Sequence, residues 1–140
     1  MITIERMSEL KTAEELAQIK HLYLSVGWID AVEEDTDNLI KNIIKHTYCF
    51  AIAKDGDNII GMGRSISDSV SDAYIQDVTV LDEYRTQGIG GKIIDFLVDY
   101  LHSHGIGWVG LISEPGYESF YGKLGFAVMD KYTPFKFTGK

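Results

Sequence analysis

The stretch that most restricts this chain is Tyr84-Arg85-Thr86-Gln87-Gly88-Ile89-Gly90-Gly91, which runs straight into the apolar segment KIIDFLVDYLHSH. Each glycine in a helix interior costs roughly 1 kcal/mol relative to alanine, so three at the mouth of a helix need a reason. Ahead of them, residues 73–80 (AYIQDVTV) read as a strand; beyond the helix, residues 108–112 (WVGLI) read as another. Strand, glycine turn, helix and strand make a βαβ unit, whose two strands should be parallel neighbours joined by a right-handed crossover. The first turn of a helix leaves backbone N–H groups without internal partners, and its dipole favours negative charge there. Glycines admit a ligand close to that backbone, and Arg85 adds a planar cation suited to phosphate oxygens. Residues 85–91 therefore either cradle a phosphate or diphosphate, or form a tight strand-to-helix turn with Arg85 in solvent.

Two familiar phosphate loops are excluded. A P-loop needs G-x-x-x-x-G-K-[ST], but Ile93 follows Gly91-Lys92 and Thr86 occupies the place of the first glycine. The dinucleotide fingerprint G-x-G-x-x-G begins with Gly88-Ile89-Gly90 and fails at Ile93.

The remaining elements follow from pattern. Ile2, Ile4 and Arg6 start an alternating strand, and Thr12 with Glu15 forms a capping box ahead of a helix carrying Leu16, Ile19, Tyr23 and Leu24. A second helix should begin near Asp35, Thr36 or Asp37 and bury Leu39, Ile40, Ile43 and Ile44. Residues 48–53 and 59–62 flank the turn Asp55-Gly56-Asp57-Asn58 as a hairpin. After the 108–112 strand, a short helix over 117–123 leads to a closing strand pair, 126–129 and 132–137. The expected order is β-α-α-β-β-β-α-β-α-β-β, an α/β (mixed α+β) domain with a mixed sheet of about six to seven strands and about four helices.

The 140 residues suit one domain with a single core. The net charge of −8 disfavours nucleic acid and suits a small cationic partner. Cys49 is the only cysteine, which excludes an internal disulfide and points to a reducing, cytoplasmic setting. The N-terminal residues lack a signal-peptide core, and no stretch approaches the roughly 20 apolar residues of a membrane span.

The stretch from Val80 to Gly90 resembles the acetyl-CoA-binding motif of the GCN5-related N-acetyltransferases, (Q/R)-x-x-G-x-(G/A), with Arg85, Gly88 and Gly90 in its specified places. Downstream, Phe120-Tyr121-Gly122-Lys123-Leu124-Gly125-Phe126 is similar to the family's F-Y-x-K-x-G-F signature. The two motifs stand in the family's order and separation, and the resemblance covers essentially the whole chain. It departs from the family pattern at Asp82, Glu114 and Tyr117, where proline, asparagine and a small residue are common.

The resemblance implies that the strand ending at Val80 splays from the 108–112 strand and that acetyl-CoA, with no metal, lies in the resulting V. Backbone groups of Val78, Thr79 and Val80 would bind the pantetheine arm as an added strand would. Arg85, Thr86, Gln87, Gly88, Ile89 and Gly90, with Gly91 just inside the helix, would hold the diphosphate, and Phe120 would also contact the coenzyme. An N–H of Val78 or Thr79 would serve the tetrahedral oxyanion. Tyr121 would lie near the coenzyme sulfur and protonate the departing thiolate, or else pack its ring there and donate nothing.

Asp77 interrupts an apolar strand, and a charge there is expensive unless paired. It would take the ammonium proton, make a structural hydrogen bond or face solvent. Asp68 and Asp72 are alternatives that would otherwise cap turns, and Asp68 could attract a cationic acceptor. Tyr23 and Trp28 would lie over the acceptor side, as wall or as core, with Tyr117 beside them as a packing or substrate-wall residue. The expected activity is acetyl transfer to a primary amine, that of a small molecule. The alternatives are a protein amine, or an acyl-CoA-binding regulatory module without turnover. Neither nucleic acid nor membrane is an expected partner; a homodimer is compatible with the family.

Overall fold

A computed structural model describes residues 1–29 and 35–140. Strand β1 (Ile2–Arg6) is followed by helices α1 (Ala13–Ser25) and α2 (Thr36–His46). Strands β2 (Cys49–Asp55), β3 (Asn58–Ser67) and β4 (Asp72–Val80) come next. A 3-10 turn (Asp82–Tyr84), helix α3 (Ile89–Ser103), strand β5 (Trp108–Leu111) and helix α4 (Glu118–Lys123) complete the order.

The capping box forms as the sequence predicts. Glu15 N donates to Thr12 Oγ1 at 3.1 Å, and Thr12 N donates to Glu15 Oε2 at 3.3 Å. Helix α1 buries Ile19, Leu22 and Tyr23. In α2, Ile40 and Ile44 are buried and Ile43 half-buried, but Leu39 is exposed and stands outside the expected stripe. Helix α3 buries Ile89, Ile93, Ile94, Leu97 and Leu101 and ends at Ser103, beyond which Ile106 N donates to Leu101 O at 3.0 Å. Gly105 has φ +80°, the left-handed conformation that such helix endings use.

The sheet runs β1-β2-β3-β4-β5. The first three pairings are antiparallel and β4–β5 is parallel, as the βαβ unit requires. Strand β2 is apolar on both faces because both are covered. Phe50 and Ile52 join the core against α1 and α2, while Cys49, Ala51 and Ala53 join the core against α3.

Among the described residues five strands form, not six to seven: no strand appears over 126–129 or 132–137. Alternating apolar residues make a strand only when a ladder partner is at hand. Here Phe135 is 93% and Phe137 79% exposed, Pro134 removes a ladder donor, and β5 is only four residues long.

Candidate active site

The parallel pairing of β4 with β5 covers only Asp72↔Trp108 to Ile75↔Leu111. Strand β4 continues to Val80, so among the described residues its edge beyond Ile75 has no strand beside it on that side. Both the pairing and β5 end at Leu111, opposite Ile75, so the expected V would lie beyond that pair. On its other edge β4 is irregular. Gln76 pairs with Arg64 and Thr79 with Met62, leaving Asp77 and Val78 together opposite Gly63. Two residues against one is a β-bulge, whose extra residue stands outside the ladder. Asp77 accommodates it with φ +56°, a conformation uncommon outside glycine but one that aspartate tolerates better than most. A Cβ on Gly63 would lie 2.7 Å from Ile93 Cγ2 and 3.2 Å from Val78 Cγ2, so only glycine leaves room for the bulge to pack on α3.

Past Val80, Leu81 N donates to Ile60 O at 2.9 Å, and the 3-10 turn delivers the chain to the glycines. Thr86 has φ +66° and Gly88 φ +77°. No side chain caps α3, and Lys92 N donates to Gly88 O at 3.1 Å. The N–H groups before Lys92 have no partner from that ladder. The left-handed backbone of Gly88 favours glycine there, and the space where a Cβ would stand is open. Arg85 is half-tethered: its Nε donates to Val80 O at 3.1 Å and pairs with Asp82 Oδ1 at 3.1 Å. Gln87 is exposed beside it. A separate groove of about 410 Å³, lined among others by Gln18, His21, Leu81 and Tyr84, involves neither the V nor the glycines.

Helix α4 packs on the mouth of α3. Phe120 Cζ stands 3.7 Å from a Cβ position on Gly90, and Leu124 Cδ2 stands 3.4 Å from one on Gly91. Tyr121 is half-buried between Phe120, at 5.0 Å between ring centroids, and Phe126, at 5.9 Å. Burial, then the neighbouring Tyr117, pushes its phenol above the usual range. Tyr121 therefore keeps its proton through neutral pH. Tyr117 caps α4 and is exposed, with its ring 6.3 Å from Phe120.

Asp77 is paired. Its Oδ2 accepts from Arg64 Nε at 2.6 Å and from the Tyr23 hydroxyl at 2.8 Å. Arg64 Nη1 also donates to Thr47 Oγ1 at 3.3 Å. Tyr23 is only 2% exposed and lies behind the site; burial, then the Asp77 carboxylate, pushes its phenol far up, so it remains a neutral donor. Trp28 is exposed, edge-on to Tyr23 at 6.4 Å.

Asp68 stands apart from this group. Its Oδ1 accepts from the N–H groups of Val70, Ser71 and Asp72, which organise the β3–β4 turn. The Ser71, Val70 and Asp72 amides pull its carboxyl down to about 2. Among the described residues no cluster of three or more metal-ligating side chains occurs, and no helix is long and apolar enough to cross a membrane.

Sequence reasoning missed Arg64 and Thr47. A signal existed: Arg64 interrupts the apolar run of β3 as Asp77 interrupts that of β4. Opposite charges in neighbouring buried strands are candidates for a pair.

The sequence signature of the acetyltransferase (GNAT) domain matches residues 18–139. An uncharacterised ycf52-like N-acetyltransferase of Prochlorococcus marinus is 31% identical over 130 residues, covering 89% of this chain and 68% of that protein. The ycf52 protein of Pyropia yezoensis is 29% identical over 111 residues, covering 79% of this chain and 64% of the relative. The chain thus spans about two thirds of the length of these relatives. A solved GNAT-family acetyltransferase from Streptococcus pneumoniae TIGR4 superposes with a TM-score of 0.76 at 27% identity, over 100% of this chain and 98% of the other.

Proposed function

The chain belongs to the GNAT acetyltransferase family, and from that premise we propose that it transfers the acetyl group of acetyl-CoA to the primary amine of a small molecule. The observation that carries this is the continuity of two features. The unpaired edge of β4 leads, within ten residues, to an uncapped helix mouth lined by glycines. The amide-bearing pantetheine arm suits the first, as an added strand suits an open edge. The diphosphate suits the second, where main-chain N–H groups and the helix dipole favour an anion. The terminal nitrogens of Arg85 add a cation.

The thioester then falls at the bulge. Backbone N–H groups at Val78 and Thr79 are the donors for the charge that develops on the carbonyl oxygen. Tyr121, kept protonated, gives its proton to the sulfur as the C–S bond breaks. The acceptor amine attacks neutral and releases its proton to water as the new amide forms, and Tyr121 regains its proton from solvent. A net charge of −8 and the exposed Trp28 suit a cationic acceptor. The lone Cys49 suits a cytoplasmic setting.

A thiol-release assay with acetyl-CoA over a panel of small amines and peptides tests this directly. Release with at least one small amine is expected. Release with peptides alone would make the acceptor a protein, and coenzyme binding without release on any acceptor would make the chain a sensor.

A further inference from the structure

We propose that Arg64 is a positioning residue of the transfer reaction: together with Tyr23 it locks Asp77, and so fixes the bulge in β4 from which the main chain acts on the thioester. The inference rests on the acetyl-transfer function proposed above, and it assigns Asp77 to holding the strand rather than to taking the amine's proton.

Three observations converge. The bulge is braced on the α1–α2 side by a polar network. A single oxygen of Asp77 receives Arg64 Nε at 2.6 Å from β3 and the Tyr23 hydroxyl at 2.8 Å from α1. Arg64 Nη1 reaches Thr47, directly after α2, at 3.3 Å. Directly β3 and α1, and through Arg64 the end of α2, are thereby tied to one residue, Asp77. Second, that residue is in the left-handed region at φ +56°. Such a backbone persists only where its surroundings over-determine it. Third, the other side is braced by packing, where Gly63 leaves room for Val78 and Ile93 and for nothing larger.

The ion pair is also shielded, with side-chain exposures of 16% for Arg64 and 21% for Asp77. Removing one partner of a shielded pair leaves the other charge uncompensated. Without Arg64 the lowest-energy response is for Asp77 to turn toward water, which carries its backbone with it. The misplaced amides would then be those of the bulge. Because Arg64 itself has no need to touch the coenzyme, its loss should spare binding at the glycine turn and weaken catalysis.

The test compares wild type with Arg64→Met, Arg64→Lys, Tyr23→Phe and Asp77→Asn. Three quantities are measured on each: the amide shifts of Gly63 and Val78 in the free protein, the Kd for acetyl-CoA, and kcat with the carbonyl band of bound acetyl-CoA. For Arg64→Met we expect both amides to move, Kd to stay within about threefold, and kcat to fall about 10²-fold or more, the size of a lost oxyanion donor. The carbonyl band should shift toward its position in water. Arg64→Lys keeps the charge and should recover part of the rate. Tyr23→Phe removes one hydrogen bond and should give a smaller loss of the same kind, so the proposal remains open to test even if Arg64→Met fails to fold. Asp77→Asn should lower kcat by one factor across pH; a change in the shape of the profile would instead mark Asp77 as the base and overturn the assignment. Unmoved amides and an unchanged kcat in Arg64→Met would also overturn it. Failure of wild type to bind acetyl-CoA, with the amides still responding to Arg64→Met, would remove the proposed function while leaving the brace in place.

Discussion

The ring of Phe120 lies 3.7 Å from where a Cβ would stand on Gly90. This contact joins the helix that carries Tyr121 to the first turn of α3, so the two motifs seen apart in the sequence meet at one corner. Substituting Gly90 should therefore affect both binding and chemistry. Gly90→Leu is expected to push Phe120 outward, weaken acetyl-CoA binding by about tenfold or more and lower kcat as well. Calorimetric titration and steady-state rates check this; a variant with wild-type Kd and kcat would show that the corner is not used.

Tyr121→Phe keeps the ring between Phe120 and Phe126 and loses only the hydroxyl. Binding of acetyl-CoA should be unchanged, and kcat should fall by roughly 10²–10⁴, the usual worth of a positioned acid. Because burial raises this phenol, the wild-type rate should not decline through Tyr121 ionisation between about pH 7 and 9. Rates matching wild type at every pH would reduce Tyr121 to a packing residue.

Gly63→Ala tests the packing that seats the bulge. The added methyl would meet Ile93 Cγ2, which is fully buried, at 2.7 Å and Val78 Cγ2, which is partly buried, at 3.2 Å. Overpacking of this kind costs about 1–3 kcal/mol, so the urea midpoint should drop accordingly. An unchanged midpoint would mean that β3 and α3 separate freely at this point.

Cys49 is fully buried, and its burial pushes the thiol up to about 11, from about 8.5 in an unfolded chain. A group raised on folding contributes stability that is complete below the unfolded value and lost as pH climbs through the folded one. Wild type should therefore lose stability relative to Cys49→Ala between about pH 8.5 and 11. Urea melts of both proteins across that window measure it, and a constant difference would contradict the burial argument. The same burial should keep Cys49 silent in the thiol-release assay.

Local signals carried most of the fold. The capping box at Thr12 and Glu15, the glycines at 88–91 and the order of β4, α3 and β5 are each written in a few neighbouring residues, and each forms as expected. The turn itself was legible for the same reason; its contact with Phe120, far off in the sequence, was not, and the family resemblance alone set both beside the coenzyme. The Arg64–Asp77 pair was not, because it depends on which residue of β3 faces which residue of β4, and a bulge shifts that register by one. The final strands were over-read because alternation in residues 126–137 says nothing about whether a partner edge extends far enough to receive them. Leu39 was over-read because a helix stripe defines a face only to within one residue of its boundary.

The central claim is that main-chain amides between Arg85 and Gly91 hold the coenzyme's diphosphate. An amide-resolved NMR titration with coenzyme A, repeated with its nucleotide diphosphate half alone, tests it most directly. The account predicts that the amides of Gly88, Ile89, Gly90 and Gly91 shift most in both titrations, and that Gly88→Arg abolishes the response. Saturable binding that leaves those four amides unmoved would contradict it.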